Sequence, residues 1–533
     1  MTNDLHDLRD HLQIFSMQKF GELINSPYLC PVNRAHEAMA METLKERTAR
    51  GLFWGVLNSG ATQVLNVVIG ILLGRMIAPA EWAPIGMIAI FSAIAGNLQS
   101  SGFSTAIVNM KEPTDNDYNA VFWFNILASI CLYLVLFAVA PWIALFFEQP
   151  CLTSLSRFIF LAFLLSSFGI STNAYMTKHM MNREITIVNS CALVCSGIVA
   201  VTLAFNGFSY WSLAWQQVVN ALILVIGRFF FVPWRPSLSI DFTPIRRTWR
   251  FAMNILVTMV INTLNNNILT FIFGKLFART PQVVGNFFQA FKWNTMAYQL
   301  VSGSIEQVAQ PVLVEVRGER SAASDEHNIN EQETRVFRKM LRFTAFLAFP
   351  AMFGLSLVAH EFIVSTIGPK WEACVPILRI LCVGGAFMPF YSLYKNLIIS
   401  QGRSDINMWL NISQVILQMV LIFLTYQQGI LVVVGAFTLL NIVWLFVWQG
   451  YANKLIGVRL WDVCKDTVPF ALISAALMVG IWFLTTGITS HLLLLLVRVT
   501  IAVLAYAVVM KLLKVKMMDD CLQFIKCKNA KMQ

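Results

Sequence analysis

Four basic side chains stand inside otherwise apolar stretches of this chain: Arg157, Lys292, Arg379 and Arg498. A cation within a membrane-length apolar run is costly and marks a binding or conduction role by default. Anion recognition is the chemistry on offer, since a guanidinium donates paired hydrogen bonds to a phosphate and an ammonium acts as a compact point charge. Lys292 lies deepest, and Gln289, Trp293, Asn294 and Gln299 make its stretch unusually polar. Arg157 and Arg379 sit nearer the ends of their runs, from where they reach lipid headgroups as readily as a cavity. Glu306 is the one clear carboxylate within a run, and it is either a site for a coupling H⁺ or Na⁺ or a residue of an inner vestibule. Uncharged polar residues form a second pattern. Asn58, Thr62 and Asn66 repeat at i, i+4, i+8, as do Thr258, Asn262 and Asn266 two hundred positions later. That spacing puts each trio on one helix face, where it lines a hydrophilic cavity or joins neighbouring helices.

The elements carrying these residues are membrane helices. Of 533 residues, 57% are apolar and 13% charged, an excess that a water-soluble core cannot hide but a bilayer can. Fourteen runs are long enough to span: 51–77, 82–108, 120–147, 153–178, 184–206, 210–232, 250–278, 282–312, 337–366, 373–400, 405–428, 430–453, 466–488 and 491–513. With the N-terminus inside, 27 Lys and Arg fall on cytoplasmic loops and span edges, and only Arg75, Lys275, Arg279 and Lys370 fall outside. The positive-inside rule then places both termini in the cytoplasm. Trp82, Trp142, Trp211 and Trp371 are expected at outer span ends and Trp234, Trp249, Trp409 and Trp461 at inner ones, as an aromatic belt.

The net charge of +11 is explained by those loops, so nucleic acid is not an expected partner. No phosphate-binding GxxxxGK[ST] loop occurs, and the ten cysteines form no CxxC or Cys/His cluster. No cofactor, metal or catalytic residue is expected. His360 and His491 stand alone in the sequence, Asp115-Asn116-Asp117 reads as a helix cap, and the longest loop is expected at 316–336.

The two-hundred-residue shift also aligns Thr48 and Arg50 with Thr248 and Arg250, and Gly74-Arg75 with Gly274-Lys275. Two six-helix halves in the same orientation form a transporter plan with substrate between them. The expected division is a cytoplasmic segment 1–50 (Met39 or Met41 being alternative starts), an N-lobe 51–232, a cytoplasmic connector 233–249, a C-lobe 250–453, two further helices in 454–513 and a basic tail 514–533. Arg246, Arg247, Arg250 and Trp249 make the connector amphipathic, with anionic membrane lipid as its expected partner.

Five stretches resemble one family in order: SGFSTAIVNMKEPTDNDYNAVFWFN (101–125), FSYWSLAWQQ (208–217), PWRPSL (233–238), GPKWEACVPILRIL (368–381) and SQGRSDI (400–406). The chain resembles the Wzx-type polysaccharide flippases, specifically the colanic-acid exporter branch of the multidrug/oligosaccharidyl-lipid/polysaccharide superfamily, over about residues 44–450. Many relatives carry an Asp where this chain has Leu269, so any ion coupling at that position is lost or moved. The resemblance implies an all-α transporter, not an enzyme, that moves undecaprenyl-pyrophosphate-linked oligosaccharide across the bacterial plasma membrane by alternating access. Capsule, exopolysaccharide and O-antigen or lipopolysaccharide synthesis all fit. A polysaccharide polymerase and export machinery are the implied partners. Lys292, Arg157 and Arg379 would then meet pyrophosphate, and the two Asn/Thr stripes would meet glycan. The competing readings are a small-solute cation antiporter, which the buried cations disfavour, and a membrane polymerase or ligase, which the short outer loops disfavour.

Overall fold

The computed structural model describes residues 54, 57–110, 112–238, 241–318, 326–488, 490–515 and 518. The expectations for residues 1–50, and for most of the tail 514–533, lie outside them. All regular structure among the described residues is helical. The helices are α1 (Leu57–Met76), α2 (Pro79–Asn109), α3 (Asp115–Phe146), α4 (Cys151–Ser167), α5 (Ile170–Lys178), α6 (Asn182–Phe205), α7 (Tyr210–Phe231) and α8 (Thr243–Leu276). There follow α9 (Pro281–Gly318), α10 (Glu326–Leu357), α11 (Ala359–Thr366), α12 (Cys374–Gly385), α13 (Met388–Ser400), α14 (Ser404–Thr425), α15 (Ile430–Ile456), α16 (Leu460–Leu484) and α17 (His491–Leu512).

Each of the fourteen expected runs falls on one helix or on a broken pair. Length and composition qualify only 11 helices as membrane spans among the described residues, or 12 with α4 and α5 counted as one. The two runs outside that tally are α8 and α9. Their Asn, Gln and Thr side chains lower the hydropathy that defines a span, and these are the helices that carry the candidate site. The expected loop 316–336 is also mostly helix, because α9 runs on to Gly318 and α10 starts at Glu326. Helices longer than a bilayer is thick project beyond it or tilt.

The packing repeats. In the first half α2 packs on α4 and α5, and α7 packs on α4 and α6; in the second, α9 packs on α12 and α13, and α15 packs on α12, α13 and α14. Both halves break the same span. The α4–α5 pair bends by 45°, and α12 gives way to α13 at Ala386-Phe387. Interrupted helices at matching positions of two repeats are a pointer to a binding site. An amide pair also joins equivalent helices, Asn189 of α6 donating to Asn58 Oδ1 of α1 at 3.2 Å and Asn265 of α8 donating to Asn411 Oδ1 of α14 at 2.9 Å.

The halves meet where α2 lies along α8 and α9. Gly285 of α9 is needed there, because a Cβ would run into the Pro79 carbonyl, 2.6 Å from its carbon. The connector is held to the first half: Trp123 Nε1 donates to Ser237 O (2.7 Å), Ser237 N donates to Asn119 Oδ1 (3.0 Å), and Asn116 donates to Asp241 (3.0 Å). Residues 243–249 of that expected connector are the opening turns of α8. The Asp115-Asn116-Asp117 triplet caps α3 as read, with Asp117 Oδ2 accepting from Thr114 N at 2.8 Å.

The last two helices are riveted at both ends. At one end, Arg338 and Arg342 of α10 bind Asp466 of α16 at 2.6 and 3.0 Å. At the far end Arg498 of α17 binds Glu361 of α11 at 2.8 Å, with both side chains buried, and its Nε donates to Thr485 Oγ1 at 2.9 Å. Two readings are corrected here. Glu306 is not alone, since Glu361 is a second, buried carboxylate within run 337–366. Nor do the histidines stand apart: the His360 and His491 rings are 5.3 Å from each other.

Candidate functional site

The interface between the halves is closed at the end expected to face outward. Arg75, at the end of α1, donates from Nε to Thr366 O (2.5 Å) and from Nη2 to Ser365 O (2.6 Å). Those carbonyls end α11, where the helix dipole is negative and a cation is favoured. Lys370 Nζ donates to Arg75 O and Trp371 Nε1 to Gly74 O, both at 2.8 Å. Lys275 and Arg279 clasp Glu148 at 3.1 Å each, and Gln149 donates to Ala278 O at 2.9 Å. Arg279 and then Lys275, by hydrogen bonding, hold the Glu148 carboxyl below its ordinary pKa. All four cations counted on the outer side therefore belong to one latch between the halves. Trp82 and Trp371 depart from the expected belt for the same reason: both are buried in this seam, with ring centroids 6.3 Å apart. Trp142, Trp249, Trp409 and Trp461 are exposed, whereas Trp234 also departs from the expectation, buried against Tyr118 and Phe122.

Below the latch lies Lys292. It projects from α9 across the face of Trp82, its Nζ 4.8 Å from the ring centroid, and stands 5.8 Å from the Trp293 ring. Gly70 of α1 makes room, since a Cβ there would sit 3.1 Å from Nζ. No carboxylate pairs with Lys292 among the described residues. Beside it several buried polar atoms have no partner among the described residues: both amide atoms of Gln289 and Nε1 of Trp82 and Trp293. A buried donor or acceptor left unpaired costs about 1–3 kcal/mol. A surface this polar and this poorly satisfied is built to meet something other than the opposite half.

A second feature opens within the C-terminal half. A cavity of about 480 Å³ lies between α8, α9, α12, α13, α14 and α15. Of the expected site residues, Asn262, Asn266 and Glu306 line it. Glu306 accepts from Ser392 Oγ at 2.7 Å. Asn58, Thr62, Asn66, Lys292, Arg157 and Arg379 do not line it. Asn58 is used in the α1–α6 amide pair, Asn66 is half-buried on α1, and the side chain of Thr258 lies outside those described. Arg157 lies over Phe137 of α3, 4.1 Å from its centroid, and donates to Phe137 O at 3.3 Å. Arg379 is exposed on α12.

Reading the sequence missed most of this cavity. Its far wall is Gln414 and Gln418 of α14 and Asn441 of α15, joined by amide hydrogen bonds of 2.9 Å. The signal was present: Asn407, Asn411, Gln414 and Gln418 recur at i, i+4, i+7, i+11 in an otherwise apolar run, one face of a helix. It passed unnoticed because it lacks charge and has no partner stripe in the first half.

Long apolar helices in two repeated halves, a latched seam and buried polar surface define a multi-span transporter fold, and known structures share it. The lipid II flippase MurJ in an inward closed conformation superposes with a TM-score of 0.68, covering 87% of this chain and all of that one at 14% identity. An inward-facing multidrug resistance MATE family transporter gives 0.59, covering 74% and 94% at 15% identity. At such identities the likeness is one of fold. The family comes from sequence: residues 72–376 match the model of the family described as polysaccharide biosynthesis protein, and the chain belongs to that family. Its relatives include the lipopolysaccharide biosynthesis protein WzxC of Escherichia coli K12, 23% identical over 376 residues (69% of this chain, 73% of the relative). The teichuronic acid biosynthesis protein TuaB of Bacillus subtilis 168 is 22% identical over 422 residues (78% and 83%).

Proposed function

We propose that this protein carries a lipid-linked oligosaccharide, a glycan on undecaprenyl pyrophosphate, from the inner to the outer leaflet of a bacterial plasma membrane. Family membership and the names of the relatives supply the polysaccharide context. The observation that carries the reading is Lys292, a cation with no carboxylate partner among the described residues, set in the seam between the halves beside the unpartnered Gln289 amide and two indoles. A pyrophosphate brings the missing negative charge and the acceptors for Trp82 and Trp293, and the attached sugar brings hydroxyls for Gln289.

In this reading the halves are an N-lobe, 51–232, and a C-lobe, 250–453, rocking about the seam, with both termini cytoplasmic. With the latch shut, substrate enters from the inner side. Asn58, Thr62, Asn66, Asn262 and Asn266 provide hydrogen bonds to the glycan, while Arg157 and Arg379 meet headgroups near the ends of their helices. Glu306, bound to Ser392, is the candidate group for ion coupling. Arg246 and Trp249, both exposed at the start of α8, face anionic lipid, and the delivered glycan passes to a polymerase.

The test is a gene deletion in the native host, complemented by wild type or by Lys292→Ala. Lipid-linked oligosaccharide is then assigned to a leaflet in spheroplasts with a membrane-impermeant glycan-modifying enzyme. The expected result is inner-leaflet accumulation in the deletion, persisting with Lys292→Ala at normal protein level. Normal translocation in the deletion refutes the transport reading, and full rescue by Lys292→Ala refutes the role of the lysine.

A further inference from the structure

The cavity in the C-terminal half has a different chemistry from the seam. Its wall is a fixed amide network. Asn441 Oδ1 accepts from Gln414 Nε2 and from Gln418 Nε2, each at 2.9 Å, and Tyr391 OH donates to Asn441 O at 2.6 Å. With their NH₂ groups committed, both glutamines hold Oε1 without a partner, and the residues are only 4% and 1% exposed. On α9, Asn294 Oδ1 and Ser302 Oγ are likewise unpartnered, in residues 4% and 6% exposed. Rings complete the lining, with Tyr391 and Trp448 edge to face at 5.9 Å and Tyr298 and Phe437 beside them.

We propose that this cavity is a subsite for uncharged sugar residues, formed by the juxtaposition of Gln414, Gln418, Asn294 and Ser302 with the Tyr391–Trp448 rings. The ligand must bring donors, because the free groups are mostly acceptors. An anion brings none: Lys395 in the lining would attract it, but the unpaired oxygens of Gln414, Gln418 and Asn294 and the Glu306 carboxylate repel it. An ammonium brings donors, but the lining offers it no net negative charge, because Lys395 stands there with Glu306. Sugar hydroxyls supply donors and acceptors together, and the C–H face of a pyranose packs on an aromatic ring. The volume of about 480 Å³ falls within the roughly 300–1,000 Å³ of small-molecule sites. The inference rests on the transport reading for the source of the sugar. It adds a division of labour, with Lys292 in the seam taking the pyrophosphate and the C-terminal cavity holding neutral glycan.

Calorimetry on the purified full-length protein tests it. The probes are the oligosaccharide freed by mild acid from the host's own pyrophosphoryl lipids, and undecaprenyl pyrophosphate without sugar. Ser302→Ala deletes a hydroxyl that has no protein partner, so it leaves the fold intact. Gln418→Leu removes an amide of similar size. One hydrogen bond lost implies about five-fold weaker oligosaccharide binding for Ser302→Ala and about ten-fold or more for Gln418→Leu. Binding of the sugar-free lipid stays unchanged in both. The proposal is overturned if the free oligosaccharide does not bind the wild type, or if both variants bind it with wild-type affinity. The two readings fail separately. Oligosaccharide binding lost in the variants of a protein that does not flip lipid keeps the subsite and removes the transport role. Wild-type translocation by both variants at limiting substrate removes the subsite and keeps the transport role.

Discussion

Arg75 is the point at which the latch is most open to attack. Its guanidinium makes two charge-assisted hydrogen bonds, of 2.5 and 2.6 Å, to the terminal carbonyls of α11. Such bonds contribute about 1.5–3 kcal/mol when shielded, but Arg75 is exposed, and solvent screening lowers each to about 1 kcal/mol. Arg75→Ala therefore removes about 2 kcal/mol from the closed state, a factor of about 30 in the closed-to-open equilibrium. Arg75→Lys keeps one donor and costs about 1 kcal/mol, a factor of about five. The backbone bonds from Lys370 and Trp371 to Arg75 O and Gly74 O remain in both variants, so the latch weakens without falling apart. The assay is the labelling rate of Ser365→Cys by a membrane-impermeant maleimide, in a background with the ten native cysteines replaced. Ser365 Oγ is buried in the closed seam, and its reaction rate follows the open population. Rates should rise about 30-fold and about five-fold in the two variants. Equal rates in wild type and Arg75→Ala would refute the latch, and equal effects of Ala and Lys would show that the fork geometry does not matter.

Further outcomes follow from the same geometry. Arg498→Ala leaves the buried Glu361 with only His360 beside it, at 3.8 Å, and should cost about 3 kcal/mol, seen as a lowered melting temperature in detergent. The double change Arg498→Leu with Glu361→Leu should recover most of that loss, and a double variant as unstable as the single one would count against the pair. Glu148 is held below its ordinary pKa by Arg279 and Lys275, so its contribution is whole at neutral pH and is lost as pH falls through the lowered value. Acidifying the outer side to below the usual carboxylate range should raise Ser365→Cys labelling, and Glu148→Gln should abolish that pH dependence. Gly285→Ala forces a Cβ against the Pro79 carbonyl and should lower the melting temperature by prising α9 from α2; an unchanged value would show that the backbone there yields freely.

Different parts of the molecule were legible in the sequence to different degrees. Helix positions were plain, because each apolar run must satisfy its own backbone in lipid and only a helix does so. Lys292 was legible because a cation at that depth is expensive enough to stand out. The capping role of Asp117 was local and so readable from three residues of context. Glu361 was not singled out, because its partner Arg498 lies far along the chain and only the packing of α11 on α17 brings the two together. Trp82 and Trp371 were misplaced because an indole near a span end reads the same whether it faces headgroups or another helix. The Gln414–Gln418–Asn441 wall joins two helices, and neither stretch announces the other.

By itself, then, the sequence determined that this is an all-α membrane protein, gave the positions of its helices and flagged the deep lysine. All of these follow from one residue's cost in lipid or from spacing along one helix. Only the tertiary structure decided which polar groups meet. It joined Arg75, Glu148, Lys275, Arg279 and Lys370 in one latch, sent Arg498 to Glu361 rather than to a substrate, and gathered side chains from six helices around one cavity. The physical reason is that burial cost belongs to a single side chain, whereas hydrogen bonding and charge pairing are properties of two surfaces brought together.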